Sequence, residues 1–372
     1  MNLKSIYIVY LTALLLACGN NRQEPVVTPW GVVVDSISAS DDFDLADIQG
    51  SGEMILLTLN GPEYYYDYRG RHLGIQYLLA ERFSTQIGVR LRVEVCRDSV
   101  DMFNRLLAGE GDIMASTELG RLVASPKKPD LQHELTSWYK PTMLDEVRKQ
   151  ESYILSSRSV KRRVFSPMLD KNSGIISHYD GLFMQYSSTI RWDWKLLAAQ
   201  AYQESTFDPK AVSFAGAKGL MQIMPSTADH LGLPRDQMYD PEQSIAAATR
   251  LIAELDHEFS DIAERRERIK FILASYNGGS HHIRDAMELC RRDGGNSHQW
   301  ANVSEYVLKL AQPEYYNDPI VKYGYMRGTE TANYVEKICQ RWDSYRGVKT
   351  ARPQFSQQPR KANRSTKKYA LE

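Results

Sequence analysis

The sequence predicts an α+β chain of two parts, a small α/β lobe followed by an all-α domain. Three observations predict it. Between Glu53 and Ala115, strand-length apolar runs alternate with segments of helical period. From Ile175 onward only helical periodicity and loops remain. The length, 372 residues, suggests two domains rather than one.

The elements of the first part follow in order. Met54-Ile55-Leu56-Leu57-Thr58-Leu59 reads as a buried strand that Gly61-Pro62 ends. Leu73 to Ile87 has helical spacing through Leu78, Leu79, Ala80 and Phe83, with Gly88 as its cap. Leu91 to Val95 is a second strand, and Val100 to Ala108 a helix with Met102, Phe103, Leu106 and Leu107 on one side. Asp112 to Ala115 is a third short strand. This order describes βαβ units and a parallel sheet. The sheet pattern stops near Ala115, and helical, charged sequence follows through Gln150. The first domain is therefore expected over residues 51–160, with the charged run Arg158 to Arg163 at its boundary.

The second domain, residues 161–347, has predicted helices at about 176–187, 192–204, 226–231, 242–258, 265–275, 280–292, 302–311 and 331–345. It is large enough to bury its own core. No period of 20 to 50 residues repeats, which excludes a solenoid. Residues 18–50 are polar and Pro-containing, as a tether would be. Residues 348–372 form a basic tail of disordered composition, with seven Lys or Arg from Lys349 onward and one acid.

Composition narrows the partners. The 46 basic and 46 acidic residues cancel, so charge implies neither nucleic acid nor an acidic polymer. Tyrosine, at 22, is the unusual count, and suits either surfaces that stack on sugars or packing at a domain surface. Residues 1–17 read as a signal peptide: Lys4 precedes an apolar run, Ile6 to Leu16, too short to span a bilayer. Leu15-Leu16-Ala17-Cys18 resembles a bacterial lipobox, which implies a lipidated Cys18 as membrane anchor. An ordinary signal peptide with a coincidental Cys is the alternative. Cys96, Cys290 and Cys339 have no metal-ligand spacing. Cys290 and Cys339 either pair or, as is expected here, stay buried thiols.

Four short segments carry the candidate chemistry. In the first, Asp193 is an expected N-cap, and Trp194, Leu197, Ala198 and Ala201 share one helix face. Glu204 falls on that apolar side at the C-terminal end. Burial and the negative helix terminus would both raise its pKa, as a general acid requires. Taken alone, it reads first as a helix-end glutamate in solvent. The second is Gly219-Leu220-Met221-Gln222-Ile223-Met224-Pro225. There Gln222 either bonds a sugar substituent or local backbone, and Met221 and Met224 are either core or cleft wall. The third, Ser275-Tyr276-Asn277-Gly278-Gly279, has the generic reading of a helix C-cap. The fourth is Glu330-Thr331-Ala332-Asn333-Tyr334-Val335, with Thr331 as a candidate cap.

Together, in this order, the four segments strongly resemble the soluble lytic transglycosylase family, whose catalytic domain is lysozyme-like. The family pattern has Ala where this chain has Ser275. The stretch before it, with Leu107-Ala108-Gly109-Glu110-Gly111-Asp112-Ile113, resembles the first lobe of solute-binding proteins, shortened and without a second lobe. With the lipobox, the likeness is to the membrane-bound F type of lytic transglycosylase. The resemblance implies Glu204 as the acid/base. Ser213, Met221, Gln222 and Met224 are then the loop lining the cleft, Tyr276 and Asn277 lie near the carboxylate, and Glu330 and Tyr334 are further cleft residues.

The implied activity is a peptidoglycan lyase that cleaves between N-acetylmuramic acid and N-acetylglucosamine and leaves 1,6-anhydro ends. It takes no metal or cofactor, acts in cell-wall (murein) remodelling, and is lipid-anchored, with an outer-membrane, periplasm-facing place expected from Gly19 after Cys18. No second acid stands at a comparable place, since Asp208 in Phe207-Asp208-Pro209 reads as a turn residue. A hydrolytic muramidase on the same fold and a non-catalytic peptidoglycan-binding protein are the alternatives.

Overall fold

A computed structural model describes Val26–Val27, Val33–Val34 and residues 43–116, 121–156 and 159–347. The predicted leader, Cys18 and the basic tail lie outside the described residues. Strands β1 (Val26–Val27) and β2 (Val33–Val34) pair antiparallel. The expected tether ends before residue 50. Asp44 and Asp47 form a capping box that starts helix α1 (Leu45–Ser51), and Ile48 is buried in the core of the lobe.

The lobe then runs β3 (Glu53–Thr58), β4 (Tyr66–Tyr68), β5 (Arg71–Leu73), α2 (Ile75–Gln86), β6 (Arg90–Val95), α3 (Ser99–Ala108), β7 (Ile113–Ala115), β8 (Leu122–Ala124), α4 (Pro129–Trp138) and α5 (Thr142–Ile154). Its sheet has the order β6-β3-β7-β8. β3 pairs parallel with β6 and β7, in the registers Glu53↔Arg90 and Leu56↔Ile113, as the βαβ pattern predicts. The sheet does not stop at Ala115, however. β8 folds back antiparallel on β7, pairing Ile113 with Ala124. Leu122-Val123-Ala124 is too short a run to announce a strand on its own. Its place is fixed by Asp112, which accepts from Ile55 N at 2.7 Å and pairs with buried Lys128 at 3.1 Å.

The second correction is the β4–β5 hairpin, in a stretch that reads as a loop. Its register, Tyr66↔Leu73 to Tyr68↔Arg71, leaves only Arg69 and Gly70 in the turn. Both have positive φ, +52° and +70°, as a type I′ turn requires. Arg at such a position costs about 1 kcal/mol that Asn or Gly would largely avoid. The hairpin is held by Glu151 of α5, whose Oε1 accepts from Tyr66 OH at 3.0 Å and Gly74 N at 3.2 Å.

The helical part comprises α6 (Asp180–Thr189), α7 (Trp194–Ser205), α8 (Pro225–His230), α9 (Pro241–Glu258), α10 (Arg265–Gly278), α11 (Ser280–Arg292), α12 (Trp300–Lys309), α13 (Pro313–Tyr316) and α14 (Gly328–Arg346). All eight predicted helices are present, with ends moved by a few residues. The short α13 is additional. Asp193 caps α7 as expected, accepting from Lys195 N at 3.0 Å. Every residue from Lys195 to Ala201 is buried, so α7 has no solvent face along that stretch. Its Leu196, Leu197, Ala198 and Ala201 belong to one core with Phe183, Ile245, Ile272, Val335 and Ile338. The multidomain α+β architecture agrees with the expectation.

The two parts share packing. Tyr325, just before α14, is buried in the lobe's core and meets the Tyr66 ring edge-on at 4.9 Å. Asn60 Oδ1 accepts from Tyr325 N at 2.6 Å. Cys96, Cys290 and Cys339 are free thiols, the first two buried and the third partly so.

Candidate active site

Glu204 ends α7, where Thr206 takes the left-handed conformation (φ +54°) and turns the chain away. Its side chain is buried, with the residue only 8% exposed, which excludes the reading of a solvent-facing helix end. Burial pushes its carboxyl up from 4.5 to about 6, against the opposing pull of nearby Arg69, the Tyr334 hydrogen bond and Arg162, while the Glu330 charge adds to the rise. Tyr334 OH donates to Glu204 Oε1 at 2.5 Å. Arg162 Nη1 donates to the Glu204 backbone carbonyl at 3.0 Å, satisfying one of the orphan acceptors at the helix end.

The cleft beside Glu204 has a volume of about 370 Å³. Four sequence-predicted residues line it with Glu204: Ser213, Gln222, Glu330 and Tyr334. Ser213 Oγ accepts from Ala217 N at 2.9 Å and so ties off its own loop. Gln222 sits at φ +50° and donates its amide to the carbonyls of Ala211 (3.1 Å) and Gly219 (3.0 Å). Local backbone thus claims the Gln222 donor group. Gly219 is required where it stands, since a Cβ at its φ of +80° would overlap the Met238 carbonyl.

The other predicted residues stand behind the lining. Met221 is fully buried in the core, so of its two readings the structure selects packing. Its carbonyl accepts from Tyr276 OH at 2.8 Å, which fastens the loop to α10. Burial and the Glu204 charge both hold the Tyr276 and Tyr334 phenols well above their usual range, so both remain donors. Asn277 does not line the cleft. Its Oδ1 accepts from Thr331 Oγ1 at 2.8 Å and joins α10 to α14, so Thr331 binds across helices instead of capping its own. Met224 is half-buried beside the hairpin turn, where a Cβ on Gly70 would lie 3.6 Å from its Cε.

A second carboxylate does enter the cleft. Glu330 Oε2 accepts from Tyr68 OH at 2.7 Å, and its Oε1 pairs with Arg69 Nη2 at 2.6 Å. Asp208 is spent on backbone, accepting from Lys210 N (3.0 Å) in its own turn and from distant Arg163 N (2.6 Å). Tyr68, Arg69 and Arg162 are lining residues that sequence reasoning missed. For the first two the only signal was Gly70, since Arg-Gly is not among the pairs that favour a two-residue hairpin turn and Tyr64 to Tyr68 does not alternate. Nothing in the sequence indicates that this hairpin reaches the other domain.

Residues 181–298 match the family model described as Transglycosylase SLT domain. Over 152 residues the chain is 42% identical to "Membrane-bound lytic murein transglycosylase F" of Desulfosudis oleivorans, covering 41% of this chain and 33% of that protein. The protein of the same name in Vibrio vulnificus strain YJ016 is 32% identical over 279 residues, covering 67% of this chain and 51% of its own length. The chain thus spans between about a third and a half of these relatives. Among solved structures, the 70 kDa soluble lytic transglycosylase of Escherichia coli is 27% identical with a TM-score of 0.34, covering 45% of this chain and 24% of that one. Residues 181–298 thus match the Transglycosylase SLT domain, a stretch that holds the first three of the four segments, while Glu330 to Val335 lies beyond it.

Proposed function

We propose that the chain is a peptidoglycan lytic transglycosylase with Glu204 as its acid and base. The observation that carries this reading is the Glu204 carboxyl, buried and held near 6, which faces a cleft and accepts a hydrogen bond from Tyr334. A group poised near neutral pH can donate a proton in one step and recover it in the next. Protonated Glu204 gives its proton to the oxygen between N-acetylmuramic acid and N-acetylglucosamine as the C1–O bond breaks. The positive charge on C1 is shared by the substrate's own N-acetyl group. The muramyl 6-hydroxyl then bonds to C1 and returns its proton to Glu204. No water is consumed, and the internal hydroxyl reacts at a high effective concentration.

Glu330 supports transfer over hydrolysis. The usual hydrolase pattern has a second carboxylate free to act on water or on C1, and both oxygens of Glu330 are engaged. Ser213, Gln222 and Tyr334 are the proposed sugar contacts, and Met221, Tyr276 and Asn277 hold the wall behind them. The two proposed functional units divide near residue 160, the first taking in α1 ahead of the expected start at 51 and the second running to 347. The relatives' names support a membrane association, for which lipidated Cys18 is the proposed anchor, on the periplasmic side of an outer membrane.

Mass spectrometry of fragments released from murein sacculi tests the reading. Wild type should release 1,6-anhydro ends and Glu204→Gln none. Reducing ends from wild type would replace transglycosylase by hydrolase, and intact sacculi with wild type would leave only a binding protein.

A further inference from the structure

We propose that Arg69, carried on the turn of the β4–β5 hairpin, is a positioning residue of the cleft: it clamps Glu330 and sets the charge around Glu204, so that the α/β lobe completes the site. The lobe is then part of the active centre.

Three independent observations converge on this residue. Arg69 and its neighbour Tyr68 line the same cleft as Glu204, although they stand far from it in sequence and belong to a different domain. Arg69 Nη2 and Tyr68 OH take one Glu330 oxygen each, at 2.6 and 2.7 Å, so the hairpin grips both ends of one carboxylate. The turn also places an arginine at φ +52°, where Gly would sit without strain and Asn with less. Strain held by the surrounding structure at a cleft is what a site-building residue leaves behind. Glu151, Met224 and the Tyr66–Tyr325 contact supply that surrounding structure.

The groups that face Glu204 come from four elements. Arg69 reaches it from the hairpin, Arg162 from the segment before α6, Tyr276 from α10, and Glu330 and Tyr334 from α14. Arg69 favours the ionised form of Glu204, and Glu330 opposes it. The clamp therefore acts twice, by adding a cation and by compensating the rival anion. Removing it leaves Glu330 uncompensated and takes the cation away. Both changes strengthen the hold of Glu204 on its proton.

The test uses Arg69→Met and Arg69→Lys in the full chain. Glu204 is titrated in each by carboxyl ¹³C NMR, assigned by Glu204→Gln, and the pH profile of cleavage is recorded in parallel. The expected result for Arg69→Met is a Glu204 titration moved upward by about half a unit or more. The high-pH limb of its cleavage profile should move with it, and Arg69→Lys should stay near wild type. A titration that superposes on wild type in Arg69→Met overturns the proposal, whatever happens to the rate or the melting temperature, because a hairpin that only packs would leave it unmoved. Should Arg69→Met fail to fold, Arg69→Gln against Arg69→Lys provides the same comparison. The kinetic arm rests on the function proposed above and the NMR arm does not. A shifted titration in a protein that cleaves nothing would thus keep this inference and discard that function.

Discussion

Replacing Glu204 by Gln should stabilise the fold in a pH-dependent way while cutting cleavage by orders of magnitude. The folded carboxyl titrates at about 6 against 4.5 for an unburied glutamate, because burial disfavours the anion. A raised folded value means that the contribution of this group is fully present below about 4.5 and is lost as pH rises through about 6. The gap of about 1.5, at about 1.36 kcal/mol per unit, corresponds to about 2 kcal/mol. The amide introduced by Glu204→Gln does not titrate, so the stability of the variant minus that of wild type should grow by about 2 kcal/mol between roughly pH 4 and pH 8. All other ionisable groups occur in both proteins and cancel to first order. Urea unfolding of the two proteins across that range measures the difference directly. Cleavage by the variant should fall by about 10²–10⁴-fold, the usual share of a general acid. A stability difference that is flat with pH would refute the reasoning, and so would one of the opposite sign, which would mean that the folded site prefers the anion.

Two further outcomes follow from the same geometry. Tyr334→Phe deletes the donor on Glu204 Oε1, a bond that lowers the carboxyl's proton affinity, so the high-pH limb of activity should move upward and a pH–rate profile should record it. Met221→Ala empties a fully buried site and should cost about 2–5 kcal/mol in urea unfolding, with KM for glycan unchanged; a raised KM with intact stability would restore Met221 to the cleft wall.

The helical domain is legible in the sequence because its signals are local and repeated. Asp193 before an apolar run is enough to start α7, and eight helices can be placed from periodicity alone. The four segments around Glu204 are legible for a different reason, since their order carries information that none has separately. What stays hidden depends on long-range pairing. β8 is three residues long and is defined by β7 and by the buried Asp112–Lys128 pair. The hairpin has only Gly70 as a turn signal, and its destination is set by Tyr66, Tyr325 and Glu151, which lie far apart in sequence. Family resemblance points to Glu330 as a cleft residue, while its occupation by Tyr68 and Arg69 requires coordinates.

The burial of α7 has a consequence for how this protein should be mutated. From Lys195 to Ala201 the helix has no solvent face and almost no neutral positions, so a scan scored by loss of cell-wall cleavage would flag Leu196, Leu197 and Ala201 as strongly as Glu204. The first three would lose signal because less folded protein accumulates, and the fourth because each folded molecule is inert. Only a scan normalised to the amount of folded protein separates them. On that scale Glu204→Gln should stand out as a chain that accumulates at least as well as wild type and does nothing.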